Sequence, residues 1–151
     1  MIPRTLFAPE HAIFRDSVRR FVETELAPHH AQWERDGFVP RETWRAAGAA
    51  GLLCCQVSEA YGGPGADFLS NVVVIEELAR AGITGPGFVV HSDMVATYVE
   101  RFGTEEQKRR WLPGMVSGEV IGALGITEPG AGSDVRGIRT TLRRDGDHYV
   151  I

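Results

Sequence analysis

A chain of 151 residues with 43% hydrophobic and 24% charged residues has the balance of an ordinary globular body with room for one sizeable core. Its 16 basic and 20 acidic residues give a formal net charge of -4 with no basic block, which argues against nucleic acid or an anionic membrane surface as partner. Met1 to Phe7 carries no signal-peptide pattern and no stretch approaches membrane-spanning length, so a cytoplasmic location is the expectation.

In chain order, Pro9-Glu-His suits a first helical turn, and Ile13, Phe14, Val18, Phe21, Val22 and Leu26 follow at helical spacing. Arg15, Asp16, Arg19, Arg20 and Glu23 fill the other positions, which predicts a solvated face. Pro28 is expected to bend or end this helix, with a further turn or two around Trp33 before Asp36-Gly37. A second helix starts at Pro40, presents Trp44, Ala47 and Ala50, and stops at Gly51. Leu52 to Val57 reads as a buried extended link, and Ser58 to Ala66 as a glycine-rich loop.

Asp67 is a plausible cap for a third helix running to Ala81, with Phe68, Val72, Ile75, Leu78 and Ala79 as its apolar stripe and Glu76 and Glu77 on an exposed face. After Gly85-Pro-Gly87, Val89, Val90, Met94, Val95, Tyr98, Val99 and Phe102 predict a strongly apolar fourth helix. His91 and Ser92 within it read first as hydrogen-bonded packing and second as lining of a ligand cavity. Thr104-Glu-Glu-Gln107 is a capping box opening a fifth helix that buries Trp111, Leu112, Met115 and Val116, is kinked by Pro113 and ends at Gly118. Adjacent Cys54 and Cys55 close too short a loop to act as a staple and read as small buried side chains. His29 and His30 lack partners at a metal-ligand spacing, so no metal is expected.

Beyond Gly118 the chain changes character. Val120 to Ile126 reads as a buried strand, Ile138 to Arg143 as a strand-like run, Arg144-Asp-Gly146-Asp as a hairpin turn and His148 to Ile151 as the start of a further strand. Between them, Thr127-Glu-Pro-Gly-Ala-Gly-Ser-Asp134 leaves the backbone nearly bare at Gly130, Ala131 and Gly132. Such a loop can approach a flat ligand closely, with the Thr127 and Ser133 hydroxyls available for its heteroatoms. It lacks the third glycine and following helix of a dinucleotide turn, and the lysine of a phosphate-binding loop.

The run from Ile121 to Asp134 resembles the flavin-contacting signature of the acyl-CoA dehydrogenases. Pro28-His-His-Ala-Gln-Trp33, Tyr61-Gly-Gly-Pro-Gly65, Gly85-Pro-Gly-Phe-Val-Val-His91-Ser, Gly103-Thr-Glu-Glu-Gln-Lys108 and Gly137-Ile-Arg-Thr-Thr resemble the same family in the same order, and its long-chain-type branch most. The implied fold is mostly α: an N-terminal helical domain over residues 1–119 and the truncated start of a middle β domain over 120–151.

The resemblance implies an FAD enzyme that oxidises a fatty acyl-CoA to the trans-2-enoyl-CoA, taking the α proton with a glutamate and sending the β hydride to flavin N5. It passes electrons to an electron-transfer flavoprotein and assembles as a homotetramer or dimer. That glutamate belongs to the family's C-terminal part, so no catalytic residue is assigned here, and a piece confined to these residues is expected to be inactive. The match assigns Leu124, Gly125, Ile126, Thr127, Glu128, Pro129, Gly130, Ala131, Gly132 and Ser133 to the cofactor side, with Thr127 nearest the flavin edge and Ser133 also meeting the acyl-CoA. Leu124 departs from the aromatic residue of many relatives. Glu128, beside Pro129, reads as a carboxylate that fixes loop geometry. The competing readings are an acyl-CoA oxidase or flavin monooxygenase on the same fold, and a non-catalytic helical interaction module.

Overall fold

The computed structural model describes residues 5–151, so the part of the signal-peptide reading that rests on Met1 to Arg4 lies outside the described residues. Pro9, with no N–H to leave unsatisfied, sits in the first turn of α1 (Pro9–Phe21). One π-helical turn, Val22–Leu26, leads into α2 (Ala27–Asp36), which Gly37 closes at φ 74°. The bend or end expected at Pro28 is thus a widened turn just before it, a geometry that accommodates a residue with no N–H to donate.

Pro40 caps α3 (Arg41–Ala49), and the Asp67 carboxylate caps α4 (Phe68–Arg80) by accepting the Ser70 N–H at 3.2 Å. A second π-helical segment, Val90–Ala96, runs on into α5 (Thr97–Phe102). The capping box forms as expected: Gln107 N–H donates to Thr104 Oγ1 at 3.2 Å, Thr104 N–H to Gln107 Oε1 at 2.8 Å, and α6 (Glu105–Ser117) follows, continuous through Pro113.

Val18, Val22 and Leu26 pack with Trp44, the Leu52–Cys55 link, Val73, Leu78, Phe88, Leu112 and Met115 in one core. Helix α1 lies against α4, and α3 against α6. The second contact is backbone-close. A Cβ on Gly48 would come within 2.5 Å of the Ser117 carbonyl, and one on Gly118, which ends α6 at φ 77°, within 2.2 Å of the Trp44 carbonyl oxygen. After Gly118 the chain is extended, and only β1 (Arg143–Asp145) and β2 (His148–Val150) pair, antiparallel around Gly146-Asp147.

Several expected faces are corrected. Ile13 is 72% exposed although it falls on the predicted apolar stripe. On α4 the buried positions are Asn71, Val73, Val74, Glu77 and Leu78, while Phe68 and Ala79 are exposed, so the helix is rotated from the predicted stripe. Glu77, expected on an exposed face, is buried because Arg15 and Arg19 of α1 reach it. On the fourth apolar helix, His91, Ser92 and Ala96 turn inward while Val89, Val90, Met94, Tyr98 and Phe102 face out. A π turn carries more residues per turn than the α-helical period used to assign that stripe.

The Val120–Ile126 segment is neither paired nor buried, because no described strand lies beside it to accept a ladder. Residues 138–142 are likewise unpaired. The hairpin turn sits at Gly146-Asp147, with Arg144 and Asp145 in β1.

Candidate functional site

The glycine loop leaves the helical body by two tethers. Val120 N–H donates to Gly114 O at 2.9 Å, and Gly122 N–H to His91 Nδ1 at 2.9 Å. From Ala123 to Thr127 the backbone is extended, and its amides donate to no partner among the described residues. Glu128 and Ala131 then exchange backbone bonds at 3.1 and 3.0 Å across a tight turn with Pro129 and Gly130 at its centre.

The Glu128 carboxylate folds back to accept the Arg139 and Thr140 amides and the Thr140 hydroxyl, which holds it below the usual carboxylate range. Its geometry-fixing role is therefore as the sequence suggests. Asp134 accepts the Arg136 N–H at 3.2 Å and opens a short turn, Val135–Gly137.

Of the sequence-assigned positions, Leu124, Gly125, Ile126, Thr127, Pro129, Gly130, Gly132 and Ser133 are exposed, Glu128 is half-buried and Ala131 is buried. No described group bonds the Thr127 or Ser133 side chain. The glycines are the informative feature. Gly125, Gly130 and Gly132 have neither a positive φ nor any atom within 4 Å of an added Cβ, so nothing inside the described chain requires them to be bare. Free amides, free hydroxyls and unobstructed backbone fit the polar edge of a flat heteroaromatic ring approaching from outside.

On the helical body, the second π segment and α5 present Asp93, Met94, Thr97, Tyr98, Arg101 and Phe102 around an open cleft of about 390 Å³. Among the described residues Asp93 Oδ1 is buried without a hydrogen-bond partner, and burial pushes its carboxyl up to about 6. Sequence periodicity passed over Asp93, and the only signal was an acid inside an apolar run. His91, read as packing, does pack: its ring is fully buried and edge-on to Trp44 at 5.3 Å. Burial pushes the Cys54 and Cys55 thiols up to about 12, as suits inert core side chains. His30 Nε2 accepts the Thr84 and Gly85 amides at 3.1 Å. Among the described residues no three His, Cys, Asp or Glu side chains converge to hold a metal, and no helix is long and apolar enough to cross a membrane.

This helical body, with an exposed glycine loop at its exit, defines the N-terminal domain type of the acyl-CoA dehydrogenases. The family model described as acyl-CoA dehydrogenase, N-terminal domain, matches residues 8–119, and the chain belongs to the acyl-CoA dehydrogenase family. It is 48% identical over 148 residues to the mitochondrial long-chain specific acyl-CoA dehydrogenase of Sus scrofa, a match that covers 98% of this chain and 34% of the relative. The crystal structure of an acyl-CoA dehydrogenase from Geobacillus kaustophilus superposes with a TM-score of 0.91 at 45% identity, covering 98% of this chain and 39% of that one. A Mycobacterium smegmatis glutaryl-CoA dehydrogenase in complex with FADH2 gives 0.85 at 32% identity, covering 95% and 37%. The chain thus spans about a third of the length of the curated relatives it matches.

Proposed function

We propose that residues 1–119 form the helical domain, and residues 120–151 the opening of the β domain, of an FAD-dependent dehydrogenase that converts a long-chain fatty acyl-CoA to its trans-2-enoyl-CoA. The observation that carries this reading is the set of bare glycines at 125, 130 and 132, whose openness serves nothing within the described chain. Bound FAD would supply the acceptor for the β hydride. Toward it, the Leu124 to Thr127 backbone and the Thr127 hydroxyl offer donors to the ring edge, and Ser133 offers a hydroxyl and an amide to the thioester-proximal part of the substrate. Glu128 spends both carboxylate oxygens on the loop's own backbone and the Thr140 hydroxyl, so it holds shape and is not the base. The apolar ridge of Val90, Met94 and Tyr98 suits one wall for an acyl chain.

Electrons leave to an electron-transfer flavoprotein in this reading, and the working assembly is a dimer or tetramer. These residues alone do not turn over substrate, because in this family the α-proton base comes from the C-terminal part.

The test is Thr127→Val in the complete enzyme. The change keeps side-chain volume but removes the hydroxyl, and leaving a polar cofactor atom unpartnered costs roughly 1–3 kcal/mol. A shifted flavin absorption band, weaker FAD retention or slower reduction by acyl-CoA is expected, while Arg144→Ala in the exposed hairpin changes none of these. A flavin spectrum, affinity and reduction rate equal to the parent's would return the loop to a structural turn. Reoxidation by the transfer flavoprotein far faster than by air separates a dehydrogenase from an oxidase.

A further inference from the structure

We propose that His91 is a positioning residue for the glycine loop: held as the Nε2–H tautomer, it fixes where the segment from Ile121 to Thr127 leaves the helical body. The geometry leaves the ring one role for each nitrogen. Nδ1 accepts the Gly122 N–H at 2.9 Å, so it carries no proton. The proton resides on Nε2, which donates to Met115 O at 3.0 Å, with Cys54 Sγ at 3.5 Å beside it. The side chain is fully buried with Trp44 edge-on to it, and a flipped ring would turn carbon atoms toward the Gly122 N–H and Met115 O and lose both bonds.

One ring therefore joins the last turns of α6 to the first residues beyond it. The Gly122 amide is the last to be held by the helical body before the run of unpartnered amides from Ala123 to Thr127. Gly122 must come close for this bond to form. A Cβ there would stand 2.7 Å from Val95 Cγ1 and 2.9 Å from Met115 Cε. The π turn Val90–Ala96 supplies the other half of the device, since it points His91 inward while its neighbours Val90 and Met94 face out. A histidine that merely filled the core would need neither the tautomer nor the glycine.

The functional consequence, correct placement of the Thr127 edge, rests on the flavin-facing reading of the loop; the joint itself does not. The experiment separates the two. In the 15N-labelled 151-residue chain, the ring nitrogens should show Nδ1 as the unprotonated one, a signature read without any variant. His91→Asn places an amide oxygen near the Nδ1 position and keeps an acceptor for Gly122, whereas His91→Gln places its amide near Nε2 and keeps only the Met115 side. His91→Gln should exchange the Gly122 amide roughly tenfold faster and shift the Ala123 to Thr127 amide peaks, with those of α1 and α4 unmoved. His91→Asn should do neither. Gly122→Ala, which leaves His91 in place, should reproduce the His91→Gln pattern even if a His91 variant fails to fold. A protonated Nδ1, or loop amides that respond equally to the Asn and Gln variants, overturns the proposal. In the complete enzyme, loop shifts in His91→Gln with an unchanged flavin spectrum would sink the flavin-facing reading and leave the joint standing.

Discussion

Arg19 grips Glu77 with both ends of its fork: Nε donates to Oε2 at 2.9 Å and Nη2 to Oε1 at 3.1 Å, which locks α1 to α4. Arg15 Nη1 adds a bond to Oε1 at 3.0 Å, and Arg80 lies 3.8 Å from Oε2. The carboxylate at the centre is only 3% exposed, while Arg15 and Arg19 remain 20% and 34% exposed.

Glu77→Ala should therefore destabilise the chain by about 2 kcal/mol, less than for a fully buried pair because the two guanidinium groups can rehydrate. The hydrogen bonds from Arg19 first, then Arg15, hold the Glu77 carboxyl below its ordinary range. Its contribution is thus present above the unfolded value of about 4.3 and is lost as pH falls through the lower folded value. Urea unfolding at pH 7 and pH 3 checks both statements: the gap between parent and variant should narrow in acid.

Gly48→Ala is expected to cost about 1–3 kcal/mol, since its methyl meets the Ser117 backbone at 2.5 Å and backbone yields less readily than the end of a flexible side chain. Ala47→Gly, one position away, leaves a small void and loses helix propensity without any clash. Urea midpoints for the two variants would show whether overpacking or lost packing dominates. Rescue of Gly48→Ala by a smaller residue at Trp44 is not expected, because the obstruction is main chain.

His91 and Asp93 should pull stability in opposite directions with pH. Burial lowers the His91 value, so the folded state resists protonation there, and stability falls as pH drops below about 6.5. Burial raises the Asp93 value to about 6, so the folded state holds a proton that the unfolded chain has released, and stability falls as pH rises from about 4 towards 6. Asp93→Asn should then stabilise by about 1 kcal/mol at pH 7, with the gain fading near pH 4. Equal stability of Asp93→Asn and parent at pH 7 would refute the burial argument.

Glu128→Ala should free the Arg139 and Thr140 amides, which its carboxylate accepts, without changing helix content. Hydrogen exchange at those two amides should accelerate, with the α1 and α4 amides unaffected. The parent's protection there should weaken in acid, as pH falls through the lowered Glu128 value.

Helix starts and stops were legible because their causes are local. Pro9, Asp67, the Thr104–Gln107 box and Gly118 each act within a turn of themselves, and each stands where its chemistry placed it. The burial of Leu52 to Cys55 was legible from an unbroken apolar run. The glycine loop was legible as a bare segment, although its strand-like entry was not, since a strand exists only when another strand accepts its bonds.

Faces were less legible than elements. Period counting put Val89, Val90 and Met94 inside and read His91 as hydrogen-bonded packing without saying which groups it bonds, because the π turn's extra residue changes which side chains share a face. It also put Glu77 in solvent, because nothing in the sequence of α4 reveals that Arg15 and Arg19, at 62 and 58 residues' separation, will neutralise it. The amino-acid sequence by itself determined the helices, their caps, the family and the exposed glycine loop, all consequences of chemistry between near neighbours. Only the tertiary structure decided which polar groups lie inside, the His91 joint and the Glu77 cluster. A buried charge or a single tautomer is stable only through partners that folding brings from distant parts of the chain.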